Sequence, residues 1–510
     1  VLGQNVPGGT TMGSSAVQTG RQEAFSFSVN GSPIEDWAGP VAVAAGYEYR
    51  EEHYSQRGDP YGAGITASTP ATINEPCTDP AVNCFSQGPG SWIAGNYTNG
   101  RGTYHVNEVF VELGVPLIND SFWGKADLDI AGRHARYSTA GDANTWKVGV
   151  TWDTPIPGIR LRALQSRDVR APSLQELAPP FTGVNSSVNN DFQTGNPNIG
   201  NILVATVGNP QLKPERSQTT EAGIVWQPDF IPGFQMSVDY FRIAVQGYSV
   251  SLGAQLVEDQ CHNGNLAFCS QTFIQTANGV NQSAAAPGGP PAGVAGTVPN
   301  QITAVISAPF NAASVVTDGF DIEAGYGFDL QDYDVPGQFT LRSLASHVSK
   351  FLLNDGPLIP NQMINQEFAG VINSNRGNGP AASSYGQSGG TVFTWKLNET
   401  QSYQNDVWGF NLTERWLAGG TSQLKNFLVC APGTCPAPTI QTPTINYDKV
   451  DAVLYLDVGL NWNVSDKTQL YTKIDNVTNI TPPDNGLQTP GNDVYDVIGR
   501  MYRIGVRFSD

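Results

Sequence analysis

Long stretches of the chain alternate apolar and polar residues with a period of two. From Leu454 to Val464 every even position is apolar, while Asp457, Gly459, Asn461 and Asn463 take odd ones. Val109, Val111, Leu113, Val115 and Leu117 share one face, and Glu108, Glu112 and Gly114 the other. Tyr502, Ile504, Val506 and Phe508 alternate with Arg503, Gly505 and Arg507. Successive side chains of a strand point to opposite faces, so one face suits lipid or a core and the other water or a polar lumen. This pattern predicts about fifteen strands, near 23–33, 39–56, 104–118, 124–138, 144–154, 159–170, 216–229, 234–250, 313–330, 337–352, 391–404, 406–417, 450–464, 468–477 and 500–509. Helical signals are scarce.

The connections sort by length. Short turns fall at 34–38, 119–123, 155–158, 230–233, 331–336, 405 and 465–467. Between them lie long connections at 57–103, 171–215, 251–312, 353–390, 418–449 and 478–499, with 139–143 the short member of that set. Antiparallel hairpins that turn tightly on one side of a membrane and loop widely on the other alternate in this way. A soluble sandwich has no reason to gather its long loops at one end. By parity the last strand runs away from the long loops, as it does in a barrel whose loops face outward. The fold expected is therefore all-β, a transmembrane antiparallel β-barrel, with residues 1–510 forming one barrel domain.

Composition agrees. Only 14% of the 510 residues are charged, against roughly 25% in an ordinary soluble domain. Mean hydropathy is nonetheless -0.25, because Asn, Gln, Ser, Thr and 56 Gly supply the polarity. There is no run of 18 apolar residues, so no helix of the sequence is read as crossing a membrane, which leaves a closed barrel as the way to do so. The net charge of -18 disfavours nucleic acid, whose phosphates require a basic face. The chain opens on Val1-Leu2-Gly3 with nothing that reads as a leader, so the expectation is a processed chain or one lacking its N-terminal part.

Six cysteines form three close pairs: Cys77 with Cys84, Cys261 with Cys269, and Cys430 with Cys435, all in long connections. Their spacing is not that of a zinc site, and local loop pairs read as disulfides made in an oxidising compartment. The stretch Ala284 to Gly293 is nearly low complexity and reads as a mobile surface loop, with an adaptable ligand-gating loop as the alternative. Enzyme signatures do not appear: His53, His105, His134, His262 and His347 are scattered, with no metalloprotease helix, nucleophile elbow or phosphate loop. No catalytic residue, metal ligand or cofactor is assigned. Trp146, Trp152, Trp408, Trp416 and Trp462 suit interfacial girdles.

Two blocks carry more specific information. Arg160 to Leu177 contains Arg167-Asp168-Val169-Arg170-Ala171-Pro172-Ser173-Leu174-Gln175-Glu176-Leu177, and Gly208-Asn209-Pro210-Gln211-Leu212-Lys213-Pro214-Glu215-Arg216-Ser217 follows after a long connection. Glu221-Ala222-Gly223, Asp239-Tyr240-Phe241-Arg242-Ile243, Asp475-Asn476-Val477-Thr478-Asn479 and Gly499-Arg500-Met501-Tyr502 come in the same order. This series resembles the barrel of TonB-dependent outer-membrane receptors, most specifically over 160–223. Pro172, Pro210 and Pro214 remove ladder donors where a strand must give way to a loop. Arg167, Asp168, Arg170 and Glu215 are expected to pair at the rim or in the lumen, where charge avoids lipid. With Asn209 and Leu212 they form a structural motif with possible lumen contacts; ligand-binding residues are not assigned.

The resemblance implies a 22-stranded barrel around an N-terminal plug preceded by a TonB box. The chain would hold about the last 15 strands, with the plug and the first strands outside it. It further implies a monomer in the outer membrane of a Gram-negative bacterium, in contact with lipid, that imports a scarce nutrient under the action of the TonB complex. Ferric siderophores, other metal chelates, oligosaccharides and cobalamin-like ligands are the candidate cargo. A passive porin-like or surface-binding barrel is the first alternative, and a soluble secreted all-β enzyme or binding protein the second. One departure stands at the terminus: Asp510 occupies the place of a terminal aromatic, in phase with Phe508.

Overall fold

The computed structural model describes residues 4–5, 11–12, 16–58, 96–97, 99–177, 182–191, 196–251, 253–262, 266–269, 271–275, 281–283, 302–354, 365–372, 391–421, 449–483 and 494–508. Fifteen strands make one wall: β1 (Ala16–Asp36), β2 (Gly39–Gly58), β3 (Gly100–Ser121), β4 (Gly124–Tyr137), β5 (Gly141–Asp153), β6 (Ile159–Arg170), β7 (Glu215–Trp226), β8 (Phe234–Ser251), β9 (Pro309–Asp329), β10 (Gln338–Asn354), β11 (Trp395–Gln404), β12 (Trp408–Leu417), β13 (Val453–Ser465), β14 (Thr468–Asp475) and β15 (Met501–Phe508). Each pairs antiparallel with its neighbour in sequence, from β1 to β15, without a crossover. These are the fifteen strands that the alternation predicts. Several are longer than expected: β1 reaches Ala16 rather than residue 23, and β3 runs from Gly100 to Ser121. Others are shorter, and β11 begins at Trp395 instead of residue 391.

Register converts alternation into two continuous surfaces, because directly opposite residues share a face. One runs Val150–Ala163–Ala222–Tyr240–Phe320–His347–Trp395, and a parallel row runs Trp152–Leu161–Ile224–Val238–Ile322–Ala345–Leu397–Trp416–Leu454. Trp146 at the middle and Trp152 near the end of β5 are on this apolar face, and Trp408 and Trp416 stand near opposite ends of β12. Trp408 stacks on Trp462 with ring centroids 5.3 Å apart. The other face carries most of the charged side chains, although Glu399 and Glu414 lie opposite each other on the first, in the row Ala324–Ser343–Glu399–Glu414–Leu456. The short turns lie at one end of the wall and demand unusual backbone. Gly124 has φ +81 and Gly158 φ +77, and a Cβ would sit 2.0 Å from the backbone carbonyl oxygen of Asp153 at the first and of Gln227 at the second. Only glycine fits there.

The long connections differ from the expectation of plain loops. Residues 281–283, 272–275, 302–307, 196–206, 182–191 and 96–97 pair, in that order, as a second six-stranded sheet. Leu203–Thr206 lie parallel to Ala304–Ser307, a contact between two different connections that no local pattern signals. The single-turn helix α1 (Leu174–Leu177) comes just after β6. Against the second sheet pack α2 (Ala254–His262) and α3 (Leu266–Cys269), with Val257, Cys261, Phe268, Cys269, Ile302 and Val305 as a buried core. Ala254, Val257 and Cys261 fall at helical spacing, a signal present in the sequence.

Of the three expected disulfides, one falls on described residues: Cys261 and Cys269 are bonded and join α2 to α3. The other two expected pairs, Cys77 with Cys84 and Cys430 with Cys435, lie outside the described residues. That holds for Cys77, for Cys84, for Cys430 and for Cys435 alike, so their pairing stays an expectation of the sequence. The stretch 284–293 also lies outside the described residues.

Candidate functional site

The charged face is a ladder of cross-strand ion pairs. Arg162 donates from Nε to Asp239 Oδ1 at 2.6 Å, and Lys147 Nζ meets Asp129 Oδ2 at 2.8 Å. Arg133 Nη1 reaches Glu108 at 3.1 Å, Arg342 Nη2 reaches Glu323 at 2.9 Å, and Arg415 Nε reaches Asp457 at 3.2 Å. Asp475 takes both Lys473 and Arg503. Between the pairs the wall curves round a cavity of about 1000 Å³ whose lining reaches from Ala38 to Asp321. Asp127, Asp129, Glu221, Asp239 and Asp321 line it against Lys125 and Arg162, so its balance is acidic. Such a surface offers donors and acceptors to a polar guest. It holds no nucleophile–base arrangement among the described residues.

The motif residues form a clasp at the loop end of β6 and β7. Arg170 donates from Nε to Glu215 Oε2 at 2.9 Å and from Nη1 and Nη2 to both Glu176 oxygens at 2.9 Å. Glu215 is buried and also accepts from the Ser249 backbone N–H at 2.9 Å, so one carboxylate ties β6 to β8. Ser173 and Glu176 form a reciprocal cap on α1: the Ser173 N–H donates to Glu176 Oε2 at 2.8 Å, and the Glu176 N–H reaches Ser173 Oγ at 3.3 Å. Burial pushes the Glu176 carboxyl up, but the Arg170 and Ser173 hydrogen bonds outweigh it and hold it below the usual range.

The second block closes the clasp. The Asn209 N–H donates to the Glu176 carbonyl at 2.9 Å, and its side-chain amide donates to the Pro309 carbonyl at 2.9 Å. Leu212 is buried beneath, Pro172 is buried beside α1, Pro210 is exposed at the turn, and Pro214 leads directly into β7. Asn311 completes the arrangement without any sequence signal. Its Nδ2 donates to the Lys213 and Gly247 carbonyls at 2.9 and 2.7 Å, and its Oδ1 accepts from the Lys213 N–H at 2.8 Å.

Register separates the remaining motif residues. Asp168 is on the charged face, accepts from Ser166 Oγ at 2.6 Å, and lines a smaller cavity with Arg133 and Lys147. Arg167 lies directly opposite Trp146 and Gln218 on the other face. It therefore stands apart from the rim or lumen pairing expected for it, because adjacent strand residues cannot share a face. The Asp475–Asn479 block is explained by Asn476, which is fully buried at φ 52 and exchanges two hydrogen bonds with the Ile480 backbone at 2.9 Å. Its N–H donates to Asp457 at 2.8 Å, so the left-handed turn and the lumenal ion pair are joined.

The family model described as "TonB dependent receptor-like, beta-barrel" matches residues 3–477. Among solved structures, the siderophore receptor PirA from Acinetobacter baumannii is 15% identical with a TM-score of 0.58, covering 97% of this chain and 55% of that one. A mutant of the ferric enterobactin receptor PfeA from Pseudomonas aeruginosa is 16% identical with a TM-score of 0.57, covering 97% and 54%. The FrpB iron transporter from Neisseria meningitidis is 13% identical with a TM-score of 0.51, covering 98% and 57%. The chain thus spans little more than half the length of these proteins. No match was found among curated protein sequences.

Proposed function

Since the chain belongs to the TonB-dependent receptor β-barrel family, we propose that it builds the wall of an outer-membrane receptor that imports a scarce nutrient under TonB control. The observation that carries this reading is the match over 3–477, joined to a wall with one apolar and one charged face. The apolar face meets lipid and the charged face meets the guest and whatever fills the lumen. The mechanism is binding and gated passage, with the ion-pair ladder supplying polar contacts and no bond of the guest being broken. Residues 1–510 act as one barrel domain within a monomer. Ferric siderophores head the cargo to be tried, because the structural neighbours are named for them; other metal chelates, oligosaccharides and cobalamin-like ligands follow.

The test is uptake in cells carrying or lacking the full gene, each with and without TonB, using labelled members of these four classes. Accumulation should require both the gene and TonB, and collapse when the proton gradient is discharged. Uptake that needs the gene but not TonB would establish the porin-like alternative. Recovery of the protein in detergent-free soluble fractions would remove both readings.

A further inference from the structure

The charged face narrows the class of guest, first through its sign. At three cavities along the described inner wall carboxylates equal or outnumber cations: five to two, three to two and three to three. In the largest, both cations are already held. Arg162 is bonded to Asp239, and Lys125 lies 3.8 Å from Asp127. Glu221 makes no ion pair or hydrogen bond among the described residues, and Asp321 accepts from the Ser346 hydroxyl instead of from a cation. Among the described lining cations, Lys396 stands without a carboxylate partner. It lies in the cavity where charges balance, with Nζ 5.6 Å over the Phe393 ring. A cleft of this sign repels an anion rather than drawing it in.

The largest cavity also contains a stacking platform. Phe241 is directly opposite Gly319, and a Cβ on that glycine would meet Phe241 Cζ at 2.9 Å. The ring therefore lies across the glycine, one face against the wall and the other toward the cavity it lines. Phe110 over Gly46 repeats the arrangement, with a Cβ 2.6 Å from Phe110 Cε1, but Arg133 already covers that ring at 5.6 Å. Phe241 is half-buried and has no such cover among the described residues. Carboxylates border it. Glu221 is directly opposite on β7, and Asp239 and Asp321 face each other two positions nearer the short turns. Arg162, the Asn119 amide and the Thr151 hydroxyl add donors to the same lining.

We propose that this cavity takes an uncharged oligosaccharide, with one sugar ring stacked on Phe241 and its hydroxyls donating to Glu221 and Asp321. The proposal rests on the transport reading and names its guest. Ionised carboxylates only accept hydrogen bonds, which suits neighbouring hydroxyls, while the amide, hydroxyl and guanidinium donors suit ring and hydroxyl oxygens. The weakly positive C–H face of a sugar matches the negative face of an aromatic ring. A cationic guest would answer the carboxylates alone and leave those donors unused.

The test screens the purified full-length receptor on an array of uncharged glycans, then titrates the best-held glycan and a trianionic iron tris-catecholate chelate. A glycan should bind with an affinity that salt leaves unchanged, and the chelate should not bind. Phe241→Ala should weaken the glycan roughly tenfold, while Phe241→Trp keeps it. Glu221→Gln should also weaken it, whereas a bound anion would gain from that change. An array on which no glycan is held would overturn the proposal. So would binding that salt weakens, since an uncharged guest has nothing to screen; both are read on the wild-type receptor, whether or not the variants fold. TonB-dependent uptake of the chelate alone would overturn this guest and leave the transport reading standing. A glycan that binds, but enters cells equally without TonB, would support the guest and overturn the transport reading instead.

Discussion

At the scale of single residues, the family motif is a clasp whose parts depend on one another. Replacing Arg170 with Gln leaves the buried Glu215 carboxylate without its cation, at a cost of about 2 kcal/mol. Faster limited proteolysis between Ala171 and Leu177, with the wall still folded, is the expected signature. The Glu176 carboxyl adds a pH dependence with a defined sign. Its folded pKa is lowered, so its contribution is present above the ordinary glutamate range and is lost as pH falls through the folded value. Cleavage in the same segment should therefore accelerate on acidification below 4.5, and Glu176→Gln should flatten the profile. Asn476 is a second dependent residue. Ala there forfeits its side-chain hydrogen bonds and must adopt φ 52, a loss of about 2–3 kcal/mol in urea unfolding; Gly, which tolerates that φ, should lose less.

At the scale of elements, the strands were readable because alternation is a local property, and strong wherever the wall has an apolar side and a polar one. Substitutions should respect that parity. Leu412 faces Val458 on the apolar side and Thr413 faces Asp457 on the charged side. Leu412→Arg should cost about 2–4 kcal/mol and reduce the heat-modifiable folded form, while Thr413→Arg should be far milder. Alternation is weakest in β6, although its extent, 159–170, is the one expected. Leu164 sits among its charged-face residues, and Gln165 and Arg167 among its apolar ones, so the sequence pattern there is mixed. Its opposition to Trp146 decides the faces. The disulfide-bonded α2–α3 unit was passed over as loop, although Ala254, Val257 and Cys261 recur at helical spacing. Its helices are short, and they hold because the Cys261–Cys269 bond and the second sheet bury their apolar side.

At the scale of the whole molecule, a meander of fifteen strands puts every long connection at one end. If that end is extracellular, a membrane-impermeant thiol reagent applied to intact cells should label Lys213→Cys, next to the clasp, and spare Asp466→Cys in the turn between β13 and β14. Labelling of Asp466→Cys alone would invert the orientation. The second sheet belongs to this scale too, since it joins segments from different connections, Gly183 to Asn96 across 87 residues and Leu203 to Ala304 across 101.

Local chemistry was enough to determine the wall: a period of two selects strands, Pro and Gly end them, and turn length assigns the ends. The motif residues were legible as a group, but not their partners. Which carboxylates Arg170 holds, why Asn476 must be asparagine, and which way Arg167 points all depend on pairing between strands. So does the sheet above the barrel, whose segments lack strong alternation and whose ladder is closed by distant backbone. Side-chain period is written in neighbouring residues, whereas register and loop pairing are set by closing the hydrogen bonds of segments far apart, and only the tertiary structure does that.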